Sequence, residues 1–314
     1  MTDPTPSMPD PDLPRPGLAD RASDAALRGL LGLGRMLPYR RRVPLTGWMT
    51  AHLVAPLAGW RGRIRDNLAH VWPDLPEAEL RRMLVAVPDN IGRTVAELYS
   101  GQEFVDRVRA IPLEGPGAAT LAAAHEAQRP VVLVTGHFGN YDVARAALIA
   151  RGYRVGGLYK PMKNRLFDAH YIRAISSLGE PLFPRGSKGL AGMVRFLRSG
   201  GMLGIVVDQH MMHGLPLTFF GQVAMTATSA ADLALKYDAL LVPIYGIRQP
   251  DGLSFRIRVE APVPPGTPAE MTQALNDSLE AQVRAHPGQW FWVHRRWKGP
   301  GGKRGWSAIR RARD

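Results

Sequence analysis

One stretch constrains this chain more than any other: Val131, Val132, Leu133, Val134 and Thr135, then Gly136-His137-Phe138-Gly139-Asn140-Tyr141-Asp142. Five β-favouring, mostly apolar residues without polar alternation predict a strand buried on both faces, as in the middle of a parallel sheet. Residues 142–152 predict the helix that follows. The intervening turn therefore sits at a strand's carboxyl end, where open α/β sheets hold their chemistry and where the next helix offers unpaired N–H groups to an anion.

His137 stands in that turn. Histidine titrates near neutrality and can take a proton from a hydroxyl, provided an acceptor on its other ring nitrogen fixes the tautomer. Asp142, five positions on, is the expected acceptor; the alternative is a His–carboxylate pair kept only for structure. The turn has no serine or cysteine, so the pair is expected to activate a substrate hydroxyl rather than an enzyme nucleophile.

Further strands are predicted at 154–159, 181–184, 202–207, 240–245 and 253–259, alternating with helices at 167–178, 188–199, 230–237 and 270–285. This strand–helix rhythm predicts one α/β domain with a central, mostly parallel sheet. Asp208 follows the strand at 202–207, level with His137 if the two strands are parallel neighbours. It is expected to hold a guanidinium such as that of Arg173. His210 and His213 form too incomplete a set to hold a metal.

The spacing from His137 to Asp142 resembles the lysophospholipid acyltransferase superfamily, and the lead-in from Gly136 to Asn140 is most similar to its lipid A biosynthesis branch. That branch more often has Glu where this chain has Asp142. Other blocks carry the resemblance over residues 67–298: Asn67-Leu68 before Trp72-Pro73, then Tyr159-Lys160-Pro161 through Asn164 with Arg173, and Arg185 beyond them. Asp208-Gln209 follows, with His210 where the family often has Asp. Phe219-Phe220-Gly221 and the closing segment from Gln289 to Lys298 complete the set.

The resemblance implies a glycerolipid acyltransferase-like fold and transfer of an acyl chain from acyl carrier protein to a hydroxyl of a lipid A precursor, with no cofactor and no metal. It implies that His137 is the base and Asp142 its orienting partner. Gly139, Asn140, Lys160, Arg173, Arg185 and Asp208 are then the substrate-binding residues, Arg173 and the N–H groups near Gly139 steadying the oxyanion. The expected partners are acyl carrier protein, a lipid acceptor and anionic lipid of the inner membrane, the enzyme lying peripheral or monotopic on its cytoplasmic face. The same chemistry on a lysophospholipid, another glycolipid or a lipoamino acid is a second reading.

Forty Lys and Arg against 27 Asp and Glu leave +13 over 314 residues, a surface that attracts acidic proteins, anionic lipid or nucleic acid. No nucleic-acid-binding signature accompanies the charge, so nucleic acid is not an expected partner, although a non-enzymatic basic coat protein is the alternative from another class. The absence of cysteine excludes disulfides and thiolate catalysis. Residues 1–24, rich in proline and aspartate, predict a disordered arm, and 299–314 a basic tail. Residues 25–66 predict a membrane-associated helical segment, the uncharged run 43–60 lying in the interface with Trp48 and Trp60 at headgroup level and Arg40, Arg41 and Arg42 on phosphates. Residues 67–298 are the expected catalytic domain. In the closing segment, Trp290, Trp292, His294, Arg295 and Arg296 are expected to form an amphipathic patch for membrane or substrate.

Overall fold

A computed structural model describes residues 36–298 apart from 163 and 164, together with the isolated positions 17, 21, 29, 32 and 34. Most of the expected arm at 1–24 and of residues 25–35, the tail at 299–314, and Lys163 and Asn164 lie outside the described residues. A seven-stranded sheet organises the rest. Its strands are β1 (Leu113–Glu114), β2 (Val131–Thr135), β3 (Val155–Tyr159), β4 (Leu182–Pro184), β5 (Met202–Val206), β8 (Leu240–Arg248) and β9 (Phe255–Val259), in the order β1-β9-β8-β2-β5-β3-β4. Only the β8–β9 pair is antiparallel. A separate antiparallel hairpin joins β6 (Leu215–Phe219) to β7 (Gln222–Thr226).

The two-sided apolar character of β2 is used on both faces. Val131 and Leu133 pack in one core with α5 (Ala118–Glu126) and α6 (Asp142–Ile149). Val132 and Val134 pack in another with α8 (Ser187–Arg198), α9 (Ser229–Lys236) and α10 (Pro268–Ala285). With all four side chains buried, each contributes about 1.5–3 kcal/mol. The strand β9 keeps the predicted alternation, with Phe255, Ile257 and Val259 buried and Arg256 exposed.

Before the sheet come α1 (Tyr39–Met49), which passes through a π-helical turn at Thr50–Val54 into Ala55–Leu57, then α2 (Trp60–Val71), α3 (Glu77–Leu98) and α4 (Gln102–Val108). Gly59, at φ +68°, separates the first of these from α2. No helix among the described residues is long and apolar enough to cross a membrane. Instead α1 crosses α3 at close range: a Cβ on Gly92 would lie 2.3 Å from Thr50 Oγ1 and 2.6 Å from the Thr46 carbonyl oxygen. Arg42 departs from the expectation that it meets lipid phosphate. It is 9% exposed and bonds Ser100 and Glu103, so its charge ties α1 to the start of α4.

Gly92→Ala should therefore force α1 from α3 and lower stability by about 1–3 kcal/mol, the usual cost of overpacking a tight contact, measured by urea unfolding. A variant as stable as the parent would contradict the close crossing.

Candidate active site

The parallel register pairs Thr135 with Val206, so the residues that leave β2 and β5 at their carboxyl ends emerge side by side. His137 and Asp208 meet there. The Asp208 carboxylate accepts three hydrogen bonds: one oxygen from His137 Nδ1 at 2.8 Å, the other from the His137 backbone N–H at 2.8 Å and from the Trp290 indole N–H at 2.8 Å. Because a carboxylate only accepts, Nδ1 carries the proton and the lone pair is on Nε2. The imidazole is 24% exposed and the carboxylate 3%, so the ring can meet a substrate while its partner is sealed beneath it. Tyr141 and Phe291 flank the ring at centroid distances of 5.3 and 5.7 Å.

Electrostatics follow from this packing. Burial alone would push the His137 imidazolium down. The Asp208 charge and hydrogen bond override it, with a lesser push from Asp142, and the net shift is upward from the ordinary 6.5. Burial would raise Asp208, but the charge and bonds of His137 and the Trp290 indole bring it down to about 2. Asp208 is thus a fixed anion whose function is to orient the ring and stabilise its protonated form.

Asp142 does not take the role expected of it. Its carboxylate accepts from Arg145 Nε at 3.0 Å, one turn along α6, and Arg145 in turn donates to the Ile175 and Gly179 carbonyls at 3.0 and 2.8 Å. The physical reason is local. Gly139 turns the chain at φ +55°, where a Cβ would stand 1.9 Å from the Gly246 carbonyl oxygen, and Asp142 then opens α6 facing its own helix and α7 (Arg165–Ser176).

The expected oxyanion donors are occupied as well. The Gly139 N–H donates to the Gln289 carbonyl at 2.9 Å and the Asn140 N–H to the Gly246 carbonyl at 3.1 Å, while the Asn140 side-chain amide donates to Glu97 at 2.8 Å. Gly139 and Asn140 thus shape the turn, with these donors already paired. Arg173 is exposed and donates to the Ala169 carbonyl of its own helix at 3.1 Å, so Asp208 holds the Trp290 indole and His137 where a guanidinium was expected. Lys160 and Arg185 follow β3 and β4 at the same carboxyl edge, both exposed, two and three strands from β2; Arg185 reaches 3.7 Å from the Met211 sulfur.

The closing segment differs most from its sequence reading. Trp290 and Trp292 are among the largest fully buried side chains, packed with Phe219, Phe220 and Trp297. Arg296 is also buried, donating to the Met225 carbonyl at 2.7 Å and to Thr226 Oγ1. Burial lowers its pKa to about 10. Only Arg295 of the expected patch is exposed. His294 is half-buried and accepts the His210 N–H at 3.0 Å; burial outweighs the pull of Asp208 and brings it to about 4, so it is neutral. Trp290 as a holder of the carboxylate was missed, because tryptophan beside arginine in sequence resembles an interface patch and nothing local signals a partner 82 residues away.

Residues 23–299 match the family model described as bacterial lipid A biosynthesis acyltransferase. The chain is 28% identical to the lipid A biosynthesis lauroyltransferase of Escherichia coli (strain K12) over 244 residues, 75% of this chain and 78% of that one. It is 26% identical to the lipid A biosynthesis palmitoleoyltransferase of the same strain over 285 residues, 86% of this chain and 89% of that one. Similarity to the phosphatidylinositol mannoside acyltransferase of Mycobacterium tuberculosis (strain ATCC 25618 / H37Rv) is 26% over 246 residues, covering 75% and 76%.

Removing the Asp208 charge leaves burial as the leading influence on His137, so Asp208→Asn should drop its pKa below 6.5. Asp142→Asn removes only the lesser contribution and should lower it by less. Titration of ¹³C-labelled histidine by NMR distinguishes the two, and equal shifts would contradict the assigned pairing.

Proposed function

This chain belongs to the bacterial lipid A biosynthesis acyltransferase family and is an acyltransferase with a lipid acceptor, and on that premise we propose that it moves a fatty acyl chain from an acyl carrier protein thioester to a hydroxyl of a lipid A precursor. One observation carries the chemistry: a partly exposed imidazole, its Nδ1–H held by a buried carboxylate, in a turn with no serine or cysteine. In the proposed step His137 Nε2 takes the acceptor's hydroxyl proton as its oxygen bonds the thioester carbon. The carbon–sulfur bond then breaks, and the imidazolium returns the proton to the leaving thiolate. Atoms and charge balance without a cofactor.

Lys160 and Arg185, exposed at the same sheet edge, supply cationic groups for the phosphates of an anionic glycolipid. A net charge of +13 favours encounter with an acidic carrier protein. The names of the relatives also support a phosphatidylinositol mannoside as acceptor, the same reaction on another anionic glycolipid.

We place the protein on the cytoplasmic face of the inner membrane. The support is an apolar outer surface on the first helical segment, where Trp48 is 51% and Leu57 90% exposed, with Leu53 and Val54 also outward. Arg40 and Arg41 are exposed beside it. Such a segment lies in the lipid interface.

His137→Ala should lower transfer from acyl carrier protein to a lipid A precursor on the order of 10²–10⁴-fold, the usual contribution of a general base. The base is active when neutral, so kcat should rise with pH through a midpoint above 6.5. In Asp208→Asn that midpoint should move below 6.5 while the plateau falls. Running a lipid A precursor and a phosphatidylinositol mannoside side by side decides the acceptor, and undiminished transfer by His137→Ala would overturn the assignment. Replacing Trp48 and Leu57 together with Ser should weaken sedimentation with anionic phospholipid vesicles at least about tenfold, given about 1.5–3 kcal/mol for each large apolar side chain buried. Unchanged sedimentation would exclude this surface as the membrane contact.

A further inference from the structure

A buried ion pair lies behind the turn that carries His137, and the chemistry described so far does not use it. Glu97, fully buried in α3, receives both terminal nitrogens of Arg248, which stands at the end of β8 and is 7% exposed. Desolvating two charges costs several kcal/mol for each ion, and buried pairs of this kind are often no more stabilising than apolar residues of the same size. Stability alone is therefore a poor account of its presence.

Its contacts lead to the catalytic turn from two sides. Glu97 accepts the Asn140 side-chain amide at 2.8 Å, and the oxygen of the same side chain accepts the Asp142 N–H at 3.0 Å. Asn90, Thr94 and Glu97 are spaced on one face of α3. Asn90 and Thr94 both donate to the Gly139 carbonyl, at 2.9 and 3.1 Å. On the other side, Gln289 exchanges two hydrogen bonds with the Arg248 backbone, at 2.9 and 2.7 Å. Gln289 is followed by Trp290, whose indole holds Asp208. One charged cluster thus fixes both the limb of the turn beyond His137 and the segment that holds the carboxylate of His137.

We infer that Glu97, clamped by Arg248, is a positioning residue for acyl transfer, acting through Asn140 to align His137. The inference rests on the acyl-transfer reading above. Asn140→Asp sets a second carboxylate against Glu97 and removes the donated hydrogen bond, leaving His137 and Asp208 intact. Adding Glu97→Gln returns the charge of the cluster to that of the parent and turns an amide donor toward the new carboxylate, at the cost of one of the two bonds that Glu97 accepts from Arg248.

The test measures kcat and KM per folded enzyme, with acyl–acyl carrier protein and a lipid A precursor, and the thermal midpoint of each variant. Asn140→Asp should lower kcat roughly 10–100-fold with KM for both substrates nearly unchanged, since a small displacement of the base acts on the chemical step. The pair Glu97→Gln with Asn140→Asp should raise kcat at least about threefold above that of Asn140→Asp alone, a coupling expected of contacting residues. Undiminished kcat in Asn140→Asp, or a loss that the second change fails to recover although the pair folds, overturns the inference. If Asn140→Asp does not fold, Thr94→Val, which at constant shape removes one donor to the Gly139 carbonyl and an acceptor of Arg248, should lower kcat severalfold without changing KM, and no effect there overturns it equally. A parent enzyme no more active than His137→Ala would instead count against acyl transfer itself.

Discussion

The in-register pairing of β2 with β5 is the constraint on which the site depends. Five consecutive residues of each strand are matched, from Val131 with Met202 to Thr135 with Val206. A slip of one residue would turn Val132 and Val134 out of one core and Val131 and Leu133 out of the other, so packing on both faces fixes the register. The 2.8 Å contact between His137 and Asp208 lies just beyond the last pair. Its accuracy is inherited from apolar packing that takes no part in the chemistry.

The layered fold was legible because its strands carry their own signal. The apolar run at 131–135, the alternation of Phe255, Ile257 and Val259, and the glycine after β2 each have a local physical cause. The site was legible only in part. Asp208 could be placed level with His137 from sequence, but which carboxylate reaches the ring depends on β5 being the neighbour of β2, and strand order is not a local property. Asp142 looked the better acceptor by spacing. Spacing does not give direction, and the left-handed turn at Gly139 sends that side chain toward Arg145. The hairpin of β6 and β7 was hidden for a similar reason: Phe220 and Gly221 both adopt positive φ at its turn, and phenylalanine is not a residue that announces such a turn.

The closing segment shows how strongly tertiary context overrides composition. Three tryptophans among cations read as an interface surface. In the fold, Phe220 from the hairpin and Trp72 from the end of α2 pack on Trp292, and Phe219 packs on Trp290 and Trp297 in the same cluster. Arg296 donates to the Met225 carbonyl and Thr226 Oγ1, attaching the hairpin to the closing segment. The consequence is chemical as well as structural, because this segment carries the Trp290 N–H to Asp208 and covers the carboxylate while His137 stays accessible.

The three donors on Asp208 also decide which way a proton can travel. A carboxylate held at about 2 by a ring N–H, a backbone N–H and an indole N–H is a far weaker base than the imidazole beside it, whose pKa lies above 6.5. A proton taken from the acceptor at Nε2 therefore stays on the ring and does not pass through to Asp208. That retention is needed for the second half of the proposed transfer, in which the same proton must return to the departing sulfur. Asp142, already committed to Arg145, lacks this geometry. The division of labour follows from strand register: one carboxylate stabilises the charged ring, and the other anchors the helix that begins where the turn ends.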